Sequence, residues 1–219
     1  MWRALREVAR RSHDGLAAPR LRADAWRASE ARMRRAEDKL DAARWEAVEE
    51  ATELLQEGRA MEALVALRQV LKADPQNAYA FHYLGVGLWE LDELEAARDA
   101  YGAAVRLAPD YLGARLGYSH VLRLTGDARR ALSEAREAVR QAPSDSDARY
   151  AAGLAEAALG NRKQARRDLD AFLARGDAEL ESQLEVRQIL ELLGMGNEGE
   201  PFELDDEQLA QLRAGQLPS

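Results

Sequence analysis

Apolar residues between Tyr79 and Leu91 fall on two lines at helical spacing. Phe81, Leu84, Leu88 and Leu91 recur at intervals of three, four and three, and Tyr79, His82, Val86 and Trp89 repeat those intervals. At about 100° per residue the two lines stand roughly 160° apart, so a helix here is apolar on two opposite sides. Such a helix must bury both sides, or bury one and offer the other to a partner. The first line is expected to face the core.

The pattern recurs along the chain. Pro75, Pro109 and Pro143 are spaced 34 apart. Twelve residues before each stands an alanine (Ala63, Ala97, Ala131), and Ala165 continues the series. Twenty-four before each comes a small residue, Ala51, Gly85 and Ser119, continued by Gly153. Seventeen before each falls a turn residue, Gly58, Asp92 and Gly126, continued by Gly160. Each period therefore reads as a helix, a short turn, a second helix and a proline stop, with small residues where two helices approach closely. One such unit cannot bury its apolar face alone, so the units are expected to stack.

These offsets resemble the tetratricopeptide repeat family, whose pattern runs W-x2-L-G-x2-Y, then A-x3-F, then P on a period of 34. The second copy carries it best, with Phe81, Leu84-Gly85, Leu88, Ala97, Tyr101, Ala104 and Pro109. The third keeps Leu122, Gly126, Ala131, Ala138 and Pro143. The first has Ala51, Leu54, Gly58, Ala63, Leu67 and Pro75, but Glu50 where leucine is usual. The fourth has Gly153, Gly160, Ala165 and Phe172, with Asp177 in place of the proline. The resemblance implies an all-α fold, four repeats (44–77, 78–111, 112–145, 146–177) stacked in a right-handed superhelix, and a general interaction scaffold rather than one particular function.

In that family the first helix of each repeat lines the concave face. The resemblance therefore assigns the second apolar line to a groove, and the same offsets extend it to the other repeats. The first repeat contributes Trp45, Val48, Thr52 and Leu55, and the second contributes Tyr79, His82, Val86 and Trp89. The third presents Leu116, His120 and Arg123, with Gly113 leaving space. The fourth adds Tyr150 and Leu154, with Asp147 at the edge. Aromatics with arginine are the usual residues of binding hot spots. The polar positions by which tetratricopeptide co-chaperones hold a C-terminal carboxylate match Val48, Thr52, Tyr83, Gly113 and Gly117 here, so that clamp is absent and apolar anchors are expected instead. The trough binds a partner segment, or terminal helices of the same chain fill it; Trp2, Trp26 and the C-terminal segment are available fillers.

Outside the repeats, residues 178–194 read as a capping helix with Leu180, Leu184, Ile189 and Leu193 along one side, Asp177 as N-cap and Gly194 as its end. Residues 195–219 read as an acidic linker and tail. Phe202, Leu204, Leu209 and Leu212 there suit either a frayed end or a docking peptide. Upstream, residues 1–43 form a basic helical extension. Trp2, Leu5, Ala9 and Leu16 precede Pro19; Leu21, Trp26, Met33 and Leu40 follow it. Helix is expected to run unbroken from there into the first repeat.

Composition sharpens this picture in three ways. Charged residues make up 32% and aromatics 6% of 219 residues, and the Ala/Leu/Glu/Arg-rich remainder favours helix throughout. The net charge of −8 argues against nucleic acid as a general partner, yet it hides +6 over residues 1–36 and −8 over 178–219. Self-association through arm and tail, or contact of the arm with an anionic membrane or nucleic acid, stand as alternatives to peptide binding. With no cysteine and three histidines lacking metal spacing, no catalytic residue, metal or cofactor is expected. The Gly-x-Gly at 85–87 lacks the strand, third glycine and acid of a dinucleotide site, so it is no phosphate loop. Gly85 belongs to the repeat; Gly87 falls at no signature position. Arginine-rich, lysine-poor usage reads as bacterial, and the expected compartment is the cytoplasm.

Overall fold

In a computed structural model of the chain, the residues described are 32, 35, 37–176, 180–195, 197–202, 204 and 208. The chain divides into two compact units, Met1–Glu46 and Ala47–Ser219. Within the first, residues 37–46 are helical, with Leu40 and Trp45 exposed. Trp2, Leu5, Ala9, His13, Leu16, Leu21, Trp26 and Met33 lie outside the described residues. The expected unbroken helix is interrupted at residues 47–48. No glycine or proline stands at the break: Val48, wholly buried, is the N-cap of the next helix at φ −105° and ψ −2°.

Among the described residues of the second unit lie nine helices and no strand. Four antiparallel pairs come first: α1 (Glu49–Gln56) with α2 (Ala60–Ala73), α3 (Ala78–Glu90) with α4 (Leu94–Leu107), α5 (Leu112–Leu124) with α6 (Ala128–Gln141), and α7 (Ser146–Ala158) with α8 (Arg162–Arg175). A single helix, α9 (Leu180–Met195), follows. The starts of α3, α5 and α7 keep the 34-residue period of the sequence.

Local chemistry explains each joint. Gly58, Asp92, Gly126 and Gly160 all have positive φ, between 61° and 83°, which lets the chain reverse in the left-handed region. After each of them a backbone N–H reaches back five residues, as from Glu93 to Leu88 O at 2.9 Å and from Asp127 to Leu122 O at 2.8 Å. At the junctions between pairs, the Asn77 and Asp145 side chains accept from Ala80 N and Ala148 N at 3.1 and 2.8 Å, capping α3 and α7.

Close approach within a pair depends on the small residues. Ala63, Ala97, Ala131 and Ala165 are wholly buried. The Ser119 hydroxyl donates to Ala131 O at 2.9 Å, and a Cβ built on Gly153 would stand 3.4 Å from Ala165 O. The small-residue and alanine positions of one repeat therefore meet across the pair. Gly87, unexplained by the repeat, faces the preceding pair: its Cβ would lie 3.0 Å from Leu64 and 3.2 Å from Leu55. α3 is packed tightly on both sides.

Helix α9 covers the last pair, joining Val186, Ile189, Leu190 and Leu193 to Ala165, Leu169 and Phe172 in one cluster. The predicted stripe is half correct. Ile189 and Leu193 are buried, but Leu180 and Leu184 are exposed, because the buried face is centred on 186, 189, 190 and 193. The helix also continues past Gly194 to Met195. Asp177, the expected N-cap, lies outside the described residues, as do Leu209 and Leu212. At the other end of the stack, Leu54, Met61, Val65 and Val70 line an open cleft of about 660 Å³.

Candidate functional site

The second apolar line of α3 meets α5 and the residue before it. Tyr79 places its ring edge-on to Tyr111, with centroids 5.2 Å apart. His82 lies 4.9 Å from the Tyr111 ring, 4.8 Å from Tyr83 and 5.7 Å from Tyr101. The space left by Gly113 is occupied by His82, whose Cε1 would be 3.6 Å from a Cβ there. Burial among these rings pushes the imidazole down to about 4, so His82 is neutral near pH 7. Its Nδ1 has no hydrogen-bond partner among the described residues. Burial raises the Tyr83 and Tyr111 hydroxyls above the usual tyrosine value.

Two turns further, Trp89 lies against His120 with centroids 4.8 Å apart. Val86 and Leu116 are half-buried on the same helices. Thr52 is half-buried too, and its hydroxyl donates to Glu49 O at 2.7 Å. Trp45 belongs to the first unit and is exposed.

The remaining site residues are covered. Arg123 is buried, and its Nη1 donates to Leu204 O at 2.9 Å. Leu154 shares a buried cluster with Leu204, and Tyr150 packs its ring 5.9 Å from Phe172 while its hydroxyl donates to Glu185 of α9. The expected groove is thus two regions. The half formed by α3 and α5 presents part-exposed aromatic rings, while the half formed by α5 and α7 lies under α9, Phe202 and Leu204.

Two contributors escaped the pattern of the sequence. Tyr111 precedes α5 and so stands on no helical stripe, although it occupies the Asn77 position one period on. Tyr83 sits between the two apolar lines. Among the described residues, no three His, Cys, Asp or Glu side chains form a metal-ligand group.

Solved structures with this arrangement of helices include a thermophilic tetratricopeptide repeat protein of Thermus thermophilus. It is 25% identical with a TM-score of 0.58, over 78% of this chain and 97% of the other. The chain has the tetratricopeptide repeat fold. MamA of Desulfovibrio magneticus RS-1, from residue 41 to its end, shares the fold at 20% identity and TM-score 0.59, over 66% of this chain and 79% of that one. So does YrrB, a tetratricopeptide protein with an unusual peptide-binding site, at 19% and 0.55 over 68% and 76%. No family model matches the chain, and no curated protein does. The all-α repeat superhelix of tetratricopeptide proteins is therefore the scaffold on which the aromatic surface is mounted.

Proposed function

We propose that this tetratricopeptide protein is a non-enzymatic interaction module that holds an apolar or amphipathic segment of another protein on the face formed by α3 and α5. The carrying observation is the run of part-exposed rings from Tyr79 through His82 and Tyr111 to Trp89 and His120. These side chains are already held by one another, so little conformational freedom is lost when a partner docks. The neutral His82 adds no charge that an apolar anchor would have to desolvate. The peptide-binding site of YrrB supports peptide binding on this fold; the role we propose for it here is that of an adaptor, assembly scaffold or chaperone. The bacterial cytoplasm is the compartment we assign. No helix among the described residues is long and apolar enough to cross a membrane.

Trp89→Ala and Tyr79→Ala test this. Each is expected to weaken capture of a partner from native lysate by roughly 30-fold, the effect of losing a hot spot of about 2 kcal/mol. Helicity and melting temperature should stay near those of the unchanged chain. Variants that melt much earlier, yet bind normally when folded, would show that the rings are core.

A further inference from the structure

Residues 198–202 and Leu204 do not hang from α9. The Gly199 N–H donates to Gly160 O at 2.9 Å, and the Phe202 N–H donates to Ala157 O at 2.9 Å. The Glu198 carboxylate accepts from Lys163 N at 3.2 Å, in the first turn of α8, where the side chain of the N-cap Asn161 caps no backbone N–H. The Arg162 guanidinium lies over the Phe202 ring at 5.6 Å, and its Nε donates to Glu200 O at 3.3 Å. Finally the Leu204 carbonyl accepts from the buried Arg123, while the Leu204 side chain enters the cluster around Leu154.

This is how a groove holds a non-helical peptide. Hydrogen bonds to the main chain supply affinity, and side chains two residues apart supply selection. The fit is tight as well as polar: a Cβ on Gly160 would lie 2.6 Å from the Gly199 carbonyl carbon, so the turn admits the segment only because it is glycine. The segment is also strongly acidic, with six carboxylates and no base over residues 197–208. Its Glu198 carboxylate takes the first turn of α8, and hydrogen bonds from Asn197, helped by the charge of Arg162, lower the Glu200 carboxyl. Arg123 and Arg162 hold the Leu204 and Glu200 carbonyls. Arg123 and Leu154 belong to the same helix faces as the aromatic region.

We propose that residues 198–202 with Leu204 are a built-in ligand of the repeat face, and that a partner enters this end with an acidic segment bearing two apolar side chains two residues apart, displacing them. The proposal rests on the peptide-binding function above and names the partner's chemistry and the regulation. Tethered to α9, the segment faces its site at an effective concentration of the order of 1 mM. With an intrinsic dissociation constant of about 10 µM for the tethered copy, any competing segment is weakened roughly 100-fold.

The test uses the full chain and a fluorescein-labelled peptide, NEGEPFELDDEQ, copied from residues 197–208. A Phe202→Asp, Leu204→Asp double variant should release the tethered copy and bind the peptide at least tenfold more tightly than the unchanged chain. Adding Arg123→Met to that variant, or replacing both apolar residues of the peptide by alanine, should abolish binding. Equal binding to the unchanged chain and the double variant would overturn the proposal, and so would no binding to a double variant of native helicity. If the double variant loses helicity, excess peptide added to the unchanged chain should accelerate hydrogen exchange of the tethered Phe202 amide, and an unaltered rate overturns the proposal. A concentration-dependent dimer of the unchanged chain formed by tail exchange also overturns it, since the occupant would then be a second copy. Failure here with Trp89→Ala still abolishing partner capture sinks this inference alone.

Discussion

Gly117→Ala should destabilise this protein although the same change stabilises most helices. Gly117 lies within α5, where alanine ordinarily gains about 0.5–1 kcal/mol over glycine. Here a Cβ would stand 2.5 Å from Tyr101 Cε1 and 2.7 Å from its Cζ. Carbon–carbon contacts are ordinarily about 3.5–4.0 Å, so the methyl is some 1 Å too close. The ring cannot retreat, because on its other side a Cβ at Gly85 would already lie 2.9 Å from it, and Tyr101 is wholly buried. Overpacking of this kind costs about 1–3 kcal/mol. Set against the helix gain, a net loss of about 1–2 kcal/mol follows, or a fall of roughly 3–6 °C in melting temperature for a chain of this size. Urea denaturation followed by circular dichroism measures it. Tyr101→Leu in the Gly117→Ala background should recover part of the loss, because the two changes share one contact. A midpoint unchanged or raised by Gly117→Ala would refute the wedge argument and show that the pairs slide past one another freely.

Two other outcomes follow from buried charge. The folded state holds the His82 pKa near 4 against an ordinary 6.5, so between those values the unfolded chain binds more protons. Stability is complete above pH 6.5 and falls with pH through that window, by up to about 3 kcal/mol; His82→Gln should remove that share of the loss in denaturation curves taken from pH 7 to 4.5. Arg136 reaches Glu156 at 2.6 Å and Asp168 at 2.8 Å, and both carboxylates are buried. Arg136→Leu leaves them facing each other with Arg149 and Asn161 as the remaining partners, and should cost about 2 kcal/mol at pH 7, less than a fully buried pair because Arg136 itself is part-exposed.

The repeats were legible because their constraints are local and recur. A positive-φ turn admits glycine readily and aspartate tolerably, a helix pair at close range admits alanine, glycine or serine, and a proline cannot continue a helix. Each constraint therefore leaves a letter at a fixed offset. The ends carry no such repetition. In α9 the leucines at 180, 184 and 193 and the isoleucine at 189 invite a straight stripe, but the buried face is set by where Leu169 and Phe172 present a surface, and it selects Val186 and Leu190 instead. Nothing local marks that choice. Tyr111 was missed for a related reason: its contribution comes from being brought beside His82 by the stacking of two pairs, not from its place on a helix.

The same distinction explains why the groove was only half readable. Offsets identify which positions point toward the face of the first helices, and they did so equally for Trp89 and Arg123. They carry no information about what lies over those positions. Trp89 meets His120 from the next repeat, so its surroundings follow from the period. Arg123 meets Leu204, 81 residues away, through a carbonyl that any residue would supply. A contact made to the main chain leaves little trace in the sequence of its partner; only the acidic charge and the Phe-x-Leu spacing hinted at it. Where a solenoid's face is covered by its own non-repeating tail, the covering must be found by asking which buried cations and cut-off apolar clusters the period leaves unexplained, and Arg123 with Leu154 is that pair here.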